Sequence, residues 1–344
     1  MSKLSLDLSS VTIVAVDLAK HVFQVHGCDV GGKVIVAKAL RRKDVLPFFA
    51  ALGPCLIGME ACGSAHHWGR ELMALGHDVK LIPPAYVKPF VKRQKNDKND
   101  AAAIYETLSR PGLRFVKVRS VDNQAVLMCH KAREMLVQQR TQLLNGLRGH
   151  LAEIGIIAAQ GTCHMRSLGA LIHEGHADIP EAVRASLMPM VTQIEHLDAA
   201  IKEIDADIAV AAKANPQANR LMTIPGIGPV TASALAATVG DPSAFSGPRE
   251  FAAFLGLVPR QNSSGGKTKL GPITKMGNQY LRKLLVVGAH AVLVHASKHN
   301  DPLRNWARKL LETKPFKLVA VACANKLARM AFALMSQNTR YSAA

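Results

Sequence analysis

Residues 11–17 read Val-Thr-Ile-Val-Ala-Val-Asp, an apolar, β-branched run closed by an acid. Such a run forms a strand, and a carboxylate at its end risks burial without a partner. HVFQVHGCD (21–29) follows almost at once, and KVIVAKAL (33–40) comes after the turn Gly31-Gly32. Three strands joined this closely predict an antiparallel meander. Next come a helix at about 42–52, a strand CLIGME (55–60), a helix at about 65–75, a strand DVKLI (78–82) and helical segments to about Arg110. The order β-β-β-α-β-α-β-α predicts a layered α/β domain with a mixed sheet and matches a ribonuclease H-like fold.

At 344 residues the chain is long for one domain. Hydrophobic residues make up 49% of it, enough for real cores, whereas aromatics make up 5%, too few for base stacking to dominate a nucleic-acid contact. The net charge of +18 points to a polyanionic partner. Thirteen of those charges are the surplus of the stretch from Arg260 to the end, where only Asp301 and Glu312 oppose the Lys and Arg side chains. None of the 6 cysteines forms a C-x-x-C pair, which argues against zinc or thioredoxin chemistry. The N-terminus lacks the apolar core of a signal peptide. The apolar runs 284–296 and 318–335 are short or interrupted by Asn325, Lys326 and Arg329, so buried helices of a cytoplasmic protein, not membrane spans, are expected.

The middle of the chain is helical. Leu136, Leu143, Leu147 and Leu151 recur at helical spacing, and Met190, Ile194, Leu197, Ile201, Ile204 and Ile208 alternate steps of four and three. That seam suits either a helical hairpin within one chain or a coiled coil between two chains. Its acids (Glu195, Asp198, Glu203, Asp205, Asp207) favour a helix partner over DNA. Pro216 opens a third region with IPGIGPVTASALAA (224–237), a Gly/Pro-rich loop near 246–277 and two apolar helices.

Four acids stand out against the basic background: Asp17, Glu60, Asp97 and Asp100. Asp17 and Glu60 end strands that neighbour one another in a ribonuclease H-like sheet. Asp97 and Asp100, three apart, share a helix face. Two-metal phosphodiester chemistry needs such a convergence of carboxylates, and Mg²⁺ prefers their hard oxygens to His or Cys. Taken alone, the Asp pair could serve a helix N-terminus through its dipole. Lys88, Lys92, Arg93, Lys95 and Lys98 crowd the approach and suit phosphate contact. The fourteen histidines, His66-His67 among them, read as surface or satisfied core residues.

In the C-terminal region, Gly226 and Gly228 of IPGIGPV resemble the hairpin of a helix-hairpin-helix element, which brings backbone N–H groups to a phosphate. A tight turn between helices is the alternative. QNSSGGKT (261–268) fails as a P-loop because Gln261 stands where Gly is required. No obvious strand precedes it, so it reads as a flexible loop presenting Ser263 and Ser264 among Arg260, Lys267, Lys269, Lys275, Arg282 and Lys283. Spacing alone favours a Ser/Gly linker, since a serine hydroxyl is a weak nucleophile unless activated.

Over nearly its whole length the sequence resembles the DEDD-type insertion-sequence transposases that carry a catalytic serine, the bridge-RNA-guided recombinases. The resemblance rests on VAVDLAKHVFQV, IGMEACG and KNDKNDAAAI, then on IPGIGPVTA, FAAFLGLVPRQNSSGG and ITKMGNQYLRKLL. It implies an N-terminal RuvC-like domain (1–115), a helical coiled-coil region (116–215) and a mainly α C-terminal domain (216–344). It places metal ligands on Asp17, Glu60, Asp97 and Asp100, with Mg²⁺, as two ions, for cofactor. It places the nucleophile on the serine before a glycine, Ser264 before Gly265, and thereby reverses the linker reading of that loop. It further implies donor and target DNA and a structured guide RNA as partners. In a homo-oligomer, dimer or tetramer, the metals of one subunit would meet the serine of another. Phosphate contacts are expected from Lys92, Arg93, Lys95, Lys98, Gly226, Gly228, Arg260, Lys267, Lys269, Lys275 and Arg282. The competing readings are a metal-dependent junction nuclease that uses water, and a non-catalytic nucleic-acid scaffold.

Overall fold

The run at 11–17 becomes the central strand of a five-stranded sheet in the computed structural model, which describes residues 8–91, 97–157, 159, 165–175 and 178–342. Strands β1 (Ile13–Asp17), β2 (Val22–Cys28), β3 (Val34–Arg41), β4 (Leu56–Glu60) and β5 (Asp78–Ile82) lie in the order β3-β2-β1-β4-β5. The first three pair antiparallel, as the expected meander requires, while β4 runs parallel to β1 and β5 parallel to β4. Four helices accompany the sheet: α1 (Val45–Ala50), α2 (Ala65–Ala74), α3 (Pro84–Val87) and α4 (Asp97–Leu108). This mixed α/β unit, Met1–Val121, is consistent with a ribonuclease H-like domain.

Strand alternation gives the sheet two apolar faces. On one, Val14, Val16, Ile57, Met59 and Leu81 pack with Phe49 of α1 and Trp68 and Leu72 of α2. On the other, Ala15 and Ile82 pack with Ala103, Ile104 and Leu108 of α4. Gly58 makes this second contact close, since a Cβ there would stand 2.7 Å from Leu108. His66 is a satisfied core histidine that accepts from the Arg119 amide at 3.3 Å. Burial first, then the charges of Arg119 and Arg70, hold its pKa at about 4.

Among the described residues, the second unit, Asp122–Ala344, is helical apart from one hairpin. It contains α5 (Val121–Glu153), α6 (Met165–His173), α7 (Glu181–Ala214), α8 (Pro216–Leu221), α9 (Pro229–Val239), α10 (Pro248–Phe254), α11 (Gln279–Val294), α12 (Pro302–Leu311) and α13 (Phe316–Gln337). Helices α5 and α7 pair antiparallel within the chain. Arg133 bonds Asp205, Arg140 bonds Asp198 at 2.5 Å, and Gly146 lies under Met190. Of the two seams, Leu147, Leu151 and Ile194 lie in one buried cluster, joined there by Leu144, Leu187 and Val191. The seam therefore has an intrachain partner.

A buried polar network fixes α5 to the C-terminal core. The His130 ring meets the Tyr280 hydroxyl at 3.0 Å and the Ser233 hydroxyl at 3.1 Å. Burial holds the His130 pKa at about 4 and pushes the Tyr280 phenol up to about 12. Helix α13 is long and apolar enough to cross a membrane by length and composition. Here it is a core helix: Cys323, Ala324, Leu327, Ala328 and Ala331 are all fully buried in the C-terminal cluster.

Between α10 and α11 the chain forms an antiparallel hairpin, β6 (Pro259–Gln261) and β7 (Leu270–Ile273). The Gly/Pro-rich loop expected near 246–277 is corrected, since it contains α10 and this hairpin, and at 261–268, expected as a flexible loop, a strand does precede the serines. Gly265 and Gly266, at φ +55° and +76°, make the two-residue turn, closed by the Lys267 N–H on the Ser264 carbonyl at 3.1 Å. Two consecutive positive φ values match the twist of paired strands.

Candidate active site

Strands β1 and β4 are in register with Ile13 beside Leu56 and Val16 beside Met59. One further step puts Asp17 beside Glu60 at the carboxyl ends of the two strands. Ile13, Ala15 and Asp17 share a face, as do Leu56, Gly58 and Glu60, and that face is the one α4 covers. On α4, Asp100, Ile104 and Leu108 follow at steps of four, with Ile104 and Leu108 buried against the sheet. Asp100 thus begins the stripe that leads to the sheet. Its charge is felt there: the Glu60 carboxyl is raised above its ordinary value, first by burial and second by Asp100.

Asp97 opens α4 one turn earlier. Its side chain, like that of Lys98, lies outside the described residues, and Lys92, Arg93 and Lys95 lie outside them entirely. Among the described residues, no group of three or more His, Cys, Asp or Glu side chains is close enough to hold a metal ion. What the carboxyl ends of β1 and β4 do provide is carboxylate oxygens, with Asp100 of α4 raising the Glu60 carboxyl by its charge. A hard divalent cation fits that chemistry, because its charge relieves the repulsion and its preference is for oxygen. Sequence reading missed Gln24, the cross-strand partner of Asp17 and half-buried on the same side of the sheet. Its signal was a lone amide inside the apolar stretch VFQV.

In the hairpin, the two adjacent serines differ. The Ser263 hydroxyl accepts from the Lys269 amide at 3.1 Å and from Gln261 Nε2 at 3.1 Å. The Ser264 side chain makes no hydrogen bond among the described residues and stands exposed at the turn. Arg260, Lys267, Lys269 and Lys275 are exposed along the hairpin and its foot. Arg282 is occupied differently. Its Nη1 donates to the carbonyls of Leu255 and Met276, each at 2.9 Å.

Gly226 and Gly228 also part company. Gly226 occupies the third position of a turn, at φ +85°, and the Ile227 N–H bonds the Ile224 carbonyl at 3.0 Å. A Cβ on Gly226 would meet the Gly288 carbonyl of α11 at 2.7 Å, so this glycine serves close packing of the turn on a helix. Gly228 is exposed at the N-cap of α9.

Comparison with known proteins bears on both units. Residues 14–156 match the DEDD transposase family of IS110, and residues 218–304 match the "Transposase IS116/IS110/IS902 family". The chain is 44% identical over 330 residues to the "Probable family 20 transposase" of Pseudomonas aeruginosa, covering 95% of this chain and 98% of that one. It is 39% identical to the transposase for insertion sequence element IS1111A of Coxiella burnetii, across 97% of this chain and 92% of that one. Identity to the transposase for IS1328 of Yersinia enterocolitica is 38%, across 97% and 100%. A domain of the DEDD type points to dependence on a divalent metal. With both family regions present in order, and full-length relatives at this identity, the chain belongs to the IS110 family of transposases, enzymes that act on DNA.

Proposed function

We propose that the protein is an RNA-guided recombinase that mobilises its own insertion sequence, with Ser264 as nucleophile and Asp17, Glu60, Asp97 and Asp100 as ligands for Mg²⁺. The observation that carries the serine assignment is the contrast between Ser263, whose hydroxyl accepts two hydrogen bonds, and Ser264, whose hydroxyl is exposed without one among the described residues. The three-part division at 115 and 215 belongs to the same reading, as does a cytoplasmic homo-oligomer working on donor DNA, target DNA and a structured RNA.

In the step we assign, Ser264 Oγ forms a bond to a DNA phosphorus as one bond from that phosphorus to a sugar oxygen breaks. The serine proton is lost to a base or solvent, and the displaced sugar oxygen gains one. The phosphoserine ester conserves the bond, so a hydroxyl of a second strand can reverse the reaction and release the serine. When bound, a divalent cation on the four carboxylates supplies Lewis acidity toward phosphate oxygens. Arg260, Lys267, Lys269 and Lys275 balance phosphate charge along the hairpin, Lys92, Arg93, Lys95 and Lys98 are assigned the same role, and Gly228 offers the start of α9. Gly226 and Arg282 were also expected at phosphates. Gly226 instead packs the turn on α11, and Arg282 donates to two backbone carbonyls.

Denaturing electrophoresis of protein incubated with guide RNA and labelled DNA tests the reading. Ser264→Ala should abolish the covalent adduct and leave RNA binding near the wild-type level. An undiminished adduct would overturn the assignment and move it to Ser263. Nicking without any adduct in the wild type would establish the hydrolytic alternative.

A further inference from the structure

The hairpin that carries Ser264 contributes almost nothing to a core. Every residue from Pro259 to Gln261 and from Leu270 to Pro272 is exposed. Two strands alone are marginally stable in water, so the direction in which Ser264 is presented is decided at the foot of the hairpin. The foot is built with unusual closeness. Gly256, at φ +67°, precedes β6, and a Cβ there would stand 2.2 Å from the Met276 carbonyl. Gly277, at φ +70°, follows β7, and a Cβ there would stand 1.8 Å from the Phe254 carbonyl. The Lys275 amide bonds the Gly256 carbonyl at 3.2 Å, and Asn325 of α13 bonds the Leu257 carbonyl at 3.0 Å.

Arg282 closes this arrangement from the first turn of α11. The carbonyls that receive its Nη1 lie on opposite legs, Leu255 before β6 and Met276 after β7. These bonds hold both legs against a helix whose Leu281 and Leu285 are fully buried.

We propose that Arg282 is a positioning residue: by binding both feet of the serine hairpin to α11 it fixes where the hydroxyl of Ser264 is presented to DNA. The proposal rests on the assignment of Ser264 as nucleophile, and it replaces a phosphate contact for Arg282 by an action through the backbone. A misplacement of a nucleophile by about 1 Å can cost a hundredfold in rate, whereas a lost phosphate contact lowers affinity and its salt dependence.

The test compares wild type, Ser264→Ala, Arg282→Ala and Arg282→Lys, all with guide RNA. It measures adduct formation at saturating DNA, DNA affinity across a salt series, and melting temperature. For Arg282→Ala we expect adduct formation on the order of ten- to a hundredfold slower, with DNA affinity and the salt slope kept, and partial recovery when guanidinium ion is added. Arg282→Lys retains the charge but not the planar fork, so its adduct formation should fall as well. Two results would overturn the proposal: wild-type adduct formation in either folded Arg282 variant, or a salt slope lowered by about one phosphate contact. If Arg282→Ala does not fold, Arg282→Lys decides the same question, since a phosphate contact predicts near-wild-type behaviour for it. Loss of adduct in the Arg282 variants while Ser264→Ala keeps it would refute the nucleophile and not the clamp.

Discussion

The strands that end in Asp17 and Glu60 carry Val14, Val16, Ile57 and Met59, all essentially inaccessible to solvent, whereas β6 and β7, which carry Ser264 between them, expose nearly every residue. The acids occupy stiff termini of a packed sheet, and the serine occupies the tip of an arm. The difference follows from what each group has to do. Carboxylates that share a cation must be held together against their own repulsion, and packed elements do that best. A nucleophile that must reach a phosphate on a long polyanion gains from projection into solvent, provided its base is fixed.

The largest effect expected from breaking the acid side is catalytic. Asp17→Asn keeps the volume of the side chain and removes its charge, so transposition in a plasmid assay should fall about a thousandfold or more. Retention of a tenth of wild-type activity would show that the sheet edge is not the site.

The next effect falls on the arm. Gly277→Ala forces both a positive φ on alanine and a Cβ onto the Phe254 carbonyl at 1.8 Å, and should cost about 3 kcal/mol or more. Gly265→Ala, at the tip with open space around it, should cost only about 1–2 kcal/mol of backbone strain. Denaturant unfolding measures both. Equal costs would mean that the foot is no stiffer than the tip, which would remove the contrast.

These regions were also unequally legible in the sequence. The sheet announces itself because β1 and β4 are apolar and closed by acids, and burial on both faces leaves an uninterrupted signal there. The hairpin has no apolar alternation, since neither face is buried, and the polar stretch around 259–273 looks like a loop. Its one local sign was Gly265-Gly266, a pair suited to a two-residue turn. The seam at 190–208 was visible as a helix partner surface, but periodicity carries no information on whose helix pairs. Within the chain, Arg133 and Arg140 on α5 meet Asp205 and Asp198 on α7. The roles of Gly256, Gly277 and Arg282 depend on contacts that join the two legs of the hairpin, and no local pattern encodes them.

A smaller effect sharpens the acid side by pH. Burial and Asp100 raise the Glu60 carboxyl above 4.5 in the folded protein. The folded state therefore holds this proton more tightly than the unfolded chain does. The resulting stability is fully present below the ordinary carboxyl pKa and is lost as pH rises through the raised value. Metal-free protein should lose part of its stability over that window, and Glu60→Gln should flatten the loss. Added Mg²⁺ should restore stability above the window in the wild type alone. An unchanged slope in Glu60→Gln would show that another group titrates.

The smallest effect separates the two serines. The Ser263 hydroxyl accepts from the Lys269 amide and from Gln261 Nε2, both exposed to water, which competes for each donor. Net hydrogen bonds of this kind contribute about 0.5–1.5 kcal/mol, and exposed ones lie at the low end. Ser263→Ala should therefore cost under about 1 kcal/mol in denaturant unfolding and lower adduct yield only a few-fold, by loosening the strand beside the turn. Ser264→Ala removes no hydrogen bond among the described residues, so it should leave stability untouched while eliminating the adduct. The pair of variants reads structure and chemistry on neighbouring atoms: stability should move with residue 263 and covalent chemistry with residue 264. The reverse pattern would exchange their roles and transfer the nucleophile to the hydroxyl that the hairpin already holds.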